Sequence, residues 1–176
     1  MQKPALIIKN NLIKLSKNSL HEIKELELNN KEIQLVNQQA VKNNSYWLEA
    51  DLDVAINTRS GFKIAQKKDN NNNIIEETEI GYDASKNEVY VDKTHSGAGS
   101  IKKDKLKQII PLKGKPGKIK LEILFDKSSL EIFVNDGKQV LTTYIYPGES
   151  ADILSAFAVG GKSLIKNIKI WDLSNA

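Results

Sequence analysis

The chain of 176 residues contains 40% apolar and 27% charged side chains, enough apolar matter for one domain with a packed core. It contains no cysteine, which excludes disulfides, thiolate nucleophiles and every cysteine-ligated metal. The formal charge of +4 comes almost wholly from lysines interspersed with acids, with Arg59 the single arginine. That pattern reads as a solvated surface and argues against a nucleic-acid partner.

The opening Met1-Gln2-Lys3-Pro4 lacks the apolar core of an export signal, so a secreted, periplasmic or cell-surface parent would carry that signal elsewhere. No apolar run reaches the roughly 18 residues of a membrane-spanning helix, and no membrane partner is expected. Residues 1–45 are expected to form a linker and first strands packing on a main body at 46–176. Within them Leu20, Ile23 and Leu26 suit a short helix, whereas Leu26 and Leu28 suit a strand. Val41 to Ser45 reads as a polar loop into the main body.

From residue 46 the dominant signal is period-two alternation. Leu48, Ala50, Leu52, Val54 and Ile56 alternate with Glu49, Asp51 and Asp53, the pattern of a strand with one buried face. Shorter strands are predicted at 62–66, 77–82 and 88–92. Asp69-Asn70-Asn71-Asn72-Asn73 between the first two has no apolar payload and reads as a hairpin loop. Ile119, Leu121, Ile123 and Phe125 repeat the alternation, as do Leu130, Ile132 and Val134. Asn135-Asp136-Gly137 follows, where glycine accepts the positive φ of a tight hairpin, and Val140, Thr142, Tyr144 and Tyr146 mark the return strand. Pro147-Gly148 ends that strand, and two further strands are predicted at 156–159 and 164–173, separated by a turn at Gly160-Gly161. About ten strands without a helical period predict an all-β, two-sheet antiparallel sandwich of jelly-roll or concanavalin-like type.

Candidate chemistry is sparse. Ala156 to Ser163 (AFAVGGKS) loosely matches a phosphate-binding loop, but a strand pattern follows where a helix is required. His21 and His95 are the only histidines; the adjacent His95-Ser96 rarely gives the geometry of a base positioned by a third group, and both histidines read as surface residues. Asp126 with Glu131 and Asp83 with Asp92 are the carboxylate pairs worth testing against glycosidase chemistry; at strand ends such groups usually brace turns. Trp47, Trp171, Tyr46, Tyr82, Tyr90, Tyr144 and Tyr146 offer either a sugar-stacking face or packing. No catalytic residue, metal ligand or cofactor site emerges.

Two segments nevertheless carry a resemblance. Residues 79–97, EIGYDASKNEVYVDKTHSG, run from a strand into Asp92, Lys93, Thr94, Ser96 and Gly97. Residues 118–147 contain Asp126, Lys127, Ser128 and Ser129, then Glu131, Phe133, Asn135, Asp136, Gly137, Thr142 and Pro147. Together with Val159-Gly160-Gly161, Ile168 to Trp171 and the opening Gln2-Lys3-Pro4, they resemble the C-terminal domain of glycoside hydrolase family 32, the levanase, inulinase and invertase-like β-fructosidases. Lys93 and Lys127 depart from the arginine commoner at those positions.

The resemblance implies a β-sandwich that follows a five-bladed catalytic propeller. In that family the nucleophile lies in Asn-Asp-Pro, a stabilising acid in Arg-Asp-Pro and the acid/base in Glu-Cys, and this chain has none of the three. The signature residues Asp92, Ser96, Gly97, Asp126, Ser128, Glu131, Phe133, Asp136, Gly137 and Pro147 are therefore expected to be structural. The implied role is a non-catalytic accessory domain of a fructan- or sucrose-hydrolysing retaining glycosidase, with the parent's propeller as partner. The alternative is a fructan-binding module, since that family's sandwich is similar to a class of fructose-binding modules.

Overall fold

The computed structural model describes residues 20–36, 44–97 and 106–174, so the Gln2-Lys3-Pro4 opening, most of the 41–45 loop and the end of the glycine-rich loop after Gly97 lie outside the described residues. Ten strands form one antiparallel hydrogen-bonded network: β1 (Leu20–Val36), β2 (Ser45–Val54), β3 (Arg59–Lys68), β4 (Ile74–Asp83), β5 (Glu88–His95), β6 (Lys107–Pro111), β7 (Lys118–Asp126), β8 (Ser129–Val134), β9 (Gln139–Tyr144) and β10 (Ile153–Asp172). The order is β6-β5-β4-β3-β10-β2-β7-β8-β9, with β1 paired to β10. Among the described residues there is no helix long and apolar enough to cross a membrane.

Strand β10 belongs to both halves of the sandwich. Its first part, Ile153 to Val159, pairs with β3, and its second part, Ser163 to Asp172, pairs with β2. Strand β1 runs beside it through both halves, Lys31 to Val36 against the first and Leu20 to Asn29 against the second. The ambiguity between helix and strand in this region is thus resolved as strand, because Leu26 and Leu28 pair with Ile165 and Ser163.

The predicted turn at Gly160-Gly161 is corrected to a bend within one strand. The chain does not reverse there; Gly160 takes φ 94° and its amide donates to Asn30 Oδ1 at 2.7 Å, while Asn30 itself sits at φ 48°. Both partner strands are kinked at the same level, and this folds the two sheets face to face. A side chain at Gly160 would meet the Asn57 carbonyl oxygen at 2.5 Å.

The core fills the space between the sheets. Phe62, Ile64, Ile80, Tyr82 and Val91 enter from one side, and Leu48, Leu52, Leu121, Ile123 and Ile132 from the other, all essentially inaccessible. The alternation in β2, β7 and β8 points inward as expected, with one departure: Ile56 lies beyond β2, in the turn closed by Thr58 N donating to Ala55 O at 3.1 Å, and is 69% exposed. The Asp69 to Asn73 hairpin loop forms as expected, Asp69 Oδ1 accepting from the amides of Asn71 and Asn73 at 2.9 Å each. Strand β6 was not anticipated.

Polar ties close the sandwich away from the bend. Lys93, buried in the interior face of β5, donates to Thr143 Oγ1 of β9 at 2.7 Å. The Tyr82 hydroxyl accepts from Gly117 N at 2.8 Å, and Gln139 Nε2 donates to Pro111 O at 2.9 Å.

Two glycines separate the cost of backbone conformation from that of crowding. Gly114 has φ 98° with open space around a would-be Cβ, whereas Gly160 has a similar φ and a close carbonyl. Gly114→Ala should cost about 1 kcal/mol of unfolding free energy in urea titrations, and Gly160→Ala about 2–4 kcal/mol. Equal losses would show that the bend does not depend on the close approach at Gly160.

Candidate functional site

The second signature segment builds two turns. Between β7 and β8, Lys127 adopts φ 55° and Ser128 N donates to Asp126 O at 2.6 Å; Ser128 O in turn accepts from Ile145 N at 2.9 Å. Between β8 and β9 three consecutive residues are left-handed, Asn135 at φ 50°, Asp136 at 59° and Gly137 at 75°, and Lys138 N donates to Val134 O at 3.0 Å. Asn135 exchanges two bonds with Lys120, and the Lys120 ammonium reaches Asp136 Oδ1 at 3.0 Å. Burial works against that ammonium, but Asp136 and Glu122 outweigh it and hold its pKa above the ordinary lysine value.

Phe133 packs on the outward face of its sheet. Its ring stacks on Trp47 at 5.6 Å between centroids, and Trp171 and Leu173 complete a small second cluster with half-buried Leu124. Glu131 is half-buried on the same face, and Asp126 is exposed at the turn. The two tryptophans are thus spent on packing, while Tyr46 and Tyr82 lie in the main core. Tyr144 and Tyr146 are the exposed members of the predicted aromatic set, at 57% and 53%.

The first signature segment serves local bracing. Asp92 Oδ1 accepts from Thr94 N at 3.0 Å and from its hydroxyl at 2.6 Å. Ser96 is buried and gives its hydroxyl to Lys93 O at 2.9 Å, which removes it as a nucleophile for exposed His95. Asp83 likewise accepts from Ser85 N at 3.0 Å and Ser85 Oγ at 2.6 Å. Asp83 and Asp92 occupy one face of the sheet, opposite Glu88 and Glu79. Their pairing levels differ by four residues along the strand, so their backbones lie about 13 Å apart.

The two signature segments meet around a residue that the sequence reading missed, Glu76. Its Oε2 accepts from Gly148 N at 2.8 Å, and a Cβ at Gly148 would lie 2.6 Å from Oε1. Gly97, at φ 83°, is held against the Tyr146 carbonyl oxygen and the same carboxylate. Pro147 precedes the anchored glycine, so Gly97 and Pro147 frame one knot, between segments far apart in sequence. Nothing in the local pattern of β4 marks Glu76 for this role.

Elsewhere on the β3–β4–β5 face, Lys63 pairs with Glu32 at 3.0 Å and Glu77 at 3.2 Å, and Gln66 joins both acids. Burial lowers the Lys63 pKa, but the two acids more than offset it and leave it above the ordinary value. The Tyr90 phenol donates to Glu79, with Arg59 3.7 Å from that carboxylate. Glu77, Glu79, Asp92, Thr94 and His95 border a small groove of about 210 Å³. His21 lies exposed on β1, and Gly161-Lys162-Ser163 lies within β10 with no helix after it, so the phosphate-loop match fails.

A cleft of about 550 Å³ lies between Asn44, Lys127 and residues 147–152. A second of about 380 Å³ is bordered by Asp51, Asp53, Lys118, Asn135 and Lys166.

Residues 12–172 match the family described as "Glycosyl hydrolases family 32 C terminal". The chain belongs to that family. Among curated proteins this family 32 domain is 39% identical over 98 residues to a levanase of Bacillus subtilis, covering 54% of the chain and 14% of the levanase. It is 36% identical over 93 residues to an extracellular exo-inulinase of Aspergillus awamori, covering 51% and 17%. Its fold matches a β-fructofuranosidase of Aspergillus kawachii with TM-score 0.74 at 16% identity, covering 95% of this chain and 30% of that one. A fructan 1-exohydrolase of Cichorium intybus gives TM-score 0.74 at 13% identity, over 95% and 37%. The chain thus spans well under half the length of these enzymes.

Two consequences are measurable. Glu76→Ala removes a charged acceptor that ties two loops, and should cost about 1.5–3 kcal/mol in urea unfolding, with proteolysis beginning near residue 148. For Asp83, burial pushes the carboxyl up, but the Ser85 hydroxyl and amide, the Lys86 amide and its ammonium together hold it below the ordinary aspartate value. Since the folded value lies below the unfolded one, the stability it confers is complete above about pH 4 and is lost as pH falls through the folded value. Urea melts should therefore show Asp83→Asn less stable than the parent at pH 7, the two curves converging below about pH 4; parallel curves would refute this.

Proposed function

We propose that the chain is a non-catalytic accessory sandwich of a fructan- or sucrose-hydrolysing β-fructosidase, and that it packs on and stabilises the parent's catalytic propeller. The observation that carries the reading is the use of its carboxylates. Asp83 and Asp92 each accept hydrogen bonds from the residue two positions on, and Asp136 is taken up by Lys120. The signature positions Ser96, Gly97, Asp136, Gly137 and Pro147 support it further, since each makes or abuts a turn or a knot between loops. The family 32 relatives, several times longer than the stretch they share with this chain, supply the partner.

A second reading, fructan binding, is favoured by Tyr144 and Tyr146. These two stand exposed beside the half-buried Ser129 and exposed Thr142, and flat amphipathic rings with neighbouring hydroxyls suit sugar faces. Both readings are compatible in one domain.

Expressed as a separate polypeptide with the parent's propeller, the chain should copurify with it and raise its melting temperature. At a hundredfold excess over the dissociation constant the gain is about 2.7 kcal/mol. The purified chain alone should release no fructose from sucrose, levan or inulin. A propeller indifferent to the chain, or sugar liberated by the chain unaided, would refute the accessory role.

A further inference from the structure

We propose that the outward stripe of β9 and its continuation, Val140, Thr142, Tyr144 and Tyr146, is the surface through which the chain docks on its parent's propeller. The proposal rests on the accessory reading and gives it a location. Leu141, Thr143 and Ile145 turn inward and are buried, which leaves Val140 50%, Tyr144 57% and Tyr146 53% exposed on the other side. The outward positions of a solvated sandwich strand carry polar side chains. Three large apolar or aromatic groups in four successive outward positions mark a contact surface instead.

The stripe is not isolated. Register sets Val140 beside Phe133, which belongs to the packed cluster of Trp47, Trp171 and Leu173 on the same outer face. At the other side of the sheet Leu20, 45% exposed, pairs with Trp171. An apolar band therefore crosses the outer face of the second sheet from β1 to β9, sealed in the middle and open at both ends. The outer face of the first sheet is the reverse. There Lys63 pairs with Glu32 and Glu77, Arg59 lies 3.7 Å from Glu79, and the Lys107 ammonium sits 4.6 Å from the Tyr90 ring centroid. A sandwich solvated on both sides has no need of this asymmetry.

The occupant is a protein body. In the β-fructofuranosidase of Aspergillus kawachii the shared fold accounts for 30% of the chain, so most of that polypeptide lies outside it. The matched family is the C-terminal part of such enzymes, which sets the remainder ahead of β1, the strand whose Leu20 opens the band. Half-exposed, the two tyrosines offer roughly 200 Å² between them, an anchor within the roughly 600–1,500 Å² of an interdomain interface. Half-buried Glu131, paired in register with Thr142, lies between the levels of Val140 and Tyr144. The matching face is thus apolar at its centre, with a hydrogen-bond donor opposite Glu131. Once docked, Tyr144 and Tyr146 are closed to sugar, which could stack on them in the free domain alone.

The test is the dissociation constant of the full chain for the parent's propeller, supplied as a separate polypeptide. Tyr144→Ala should weaken binding about tenfold or more, as expected for a central aromatic anchor, and Val140→Glu at least as much. Ile109→Glu, an equally exposed apolar position at the edge of the first sheet, should leave binding unchanged. Circular dichroism melts report whether each variant folds; should Val140→Glu prove unstable, Tyr144→Ala decides alone. Binding undiminished by the β9 variants, or weakened as much by Ile109→Glu, would overturn the surface while sparing the accessory reading. Self-association lost in Tyr144→Ala with propeller binding intact would assign the face to a second copy of the chain and overturn it as well. No binding by the unmodified chain would overturn both the surface and the reading.

Discussion

The structure depends on one backbone constraint: the paired kink that carries β1 and β10 from one sheet into the other. A flat antiparallel sheet of ten strands would expose one whole apolar face. Bending its two longest strands at Gly160 and Asn30 folds that face onto itself, so Phe62 and Ile80 meet Leu48 and Ile123 across a shared interior. The kink needs a left-handed residue on each strand, and it places the Asn30 carboxamide where it accepts from the Gly160 amide. Glycine admits the conformation and the close carbonyl of Asn57 at once; any other residue meets both penalties. The register on either side of the bend then decides which side chains enter the core, because a slip of one residue would turn every one of them outward.

How much of this could be read in advance followed from the range of the forces involved. Strands β2, β7 and β8 were legible because each buries a single face, and period two is the direct imprint of that. Asn135-Asp136-Gly137 was legible because positive φ restricts residue choice locally. Gly160-Gly161 misled for the same reason: a glycine pair signals an unusual backbone without saying whether the chain reverses or bends. Alternation also ran past the end of β2 to Ile56, since nothing local distinguishes a strand's last residue from the turn after it. Strand β6 is short and lies at the sheet edge, with Ile109 49% exposed, so its pattern was faint. Glu76 was invisible because its partner Gly148 is 72 residues away and only tertiary structure joins them.

The same distinction separates the fold from the chemistry. Several of the residues that carry the family resemblance take part in local backbone geometry. Gly97 is confined by a carbonyl, Gly137 closes a run of left-handed residues, Ser96 returns its hydroxyl to the main chain, and Asp92 organises the residue two positions on. Acids used this way are poorly suited to the general-acid role, since a carboxylate already accepting short hydrogen bonds from its own segment is stabilised as the anion and held in place. A catalytic acid needs the opposite environment, one that raises its proton affinity. Asp83, held below the ordinary value, has instead the surroundings of a carboxylate that braces a turn, accepting from the Ser85 amide and hydroxyl.

Closure of the sandwich and construction of the 147–152 cleft draw on the same contacts. Glu76 holds Gly148 at one end of that segment, the Asn44 carboxamide holds Ala151 near the other, and Asn44 also fixes Lys127 through its carbonyl. A loop anchored at two points to the body of the sandwich, one of them a strand residue, has met its ordering cost in folding, and that cost is set against the hydrogen bonds which hold it there.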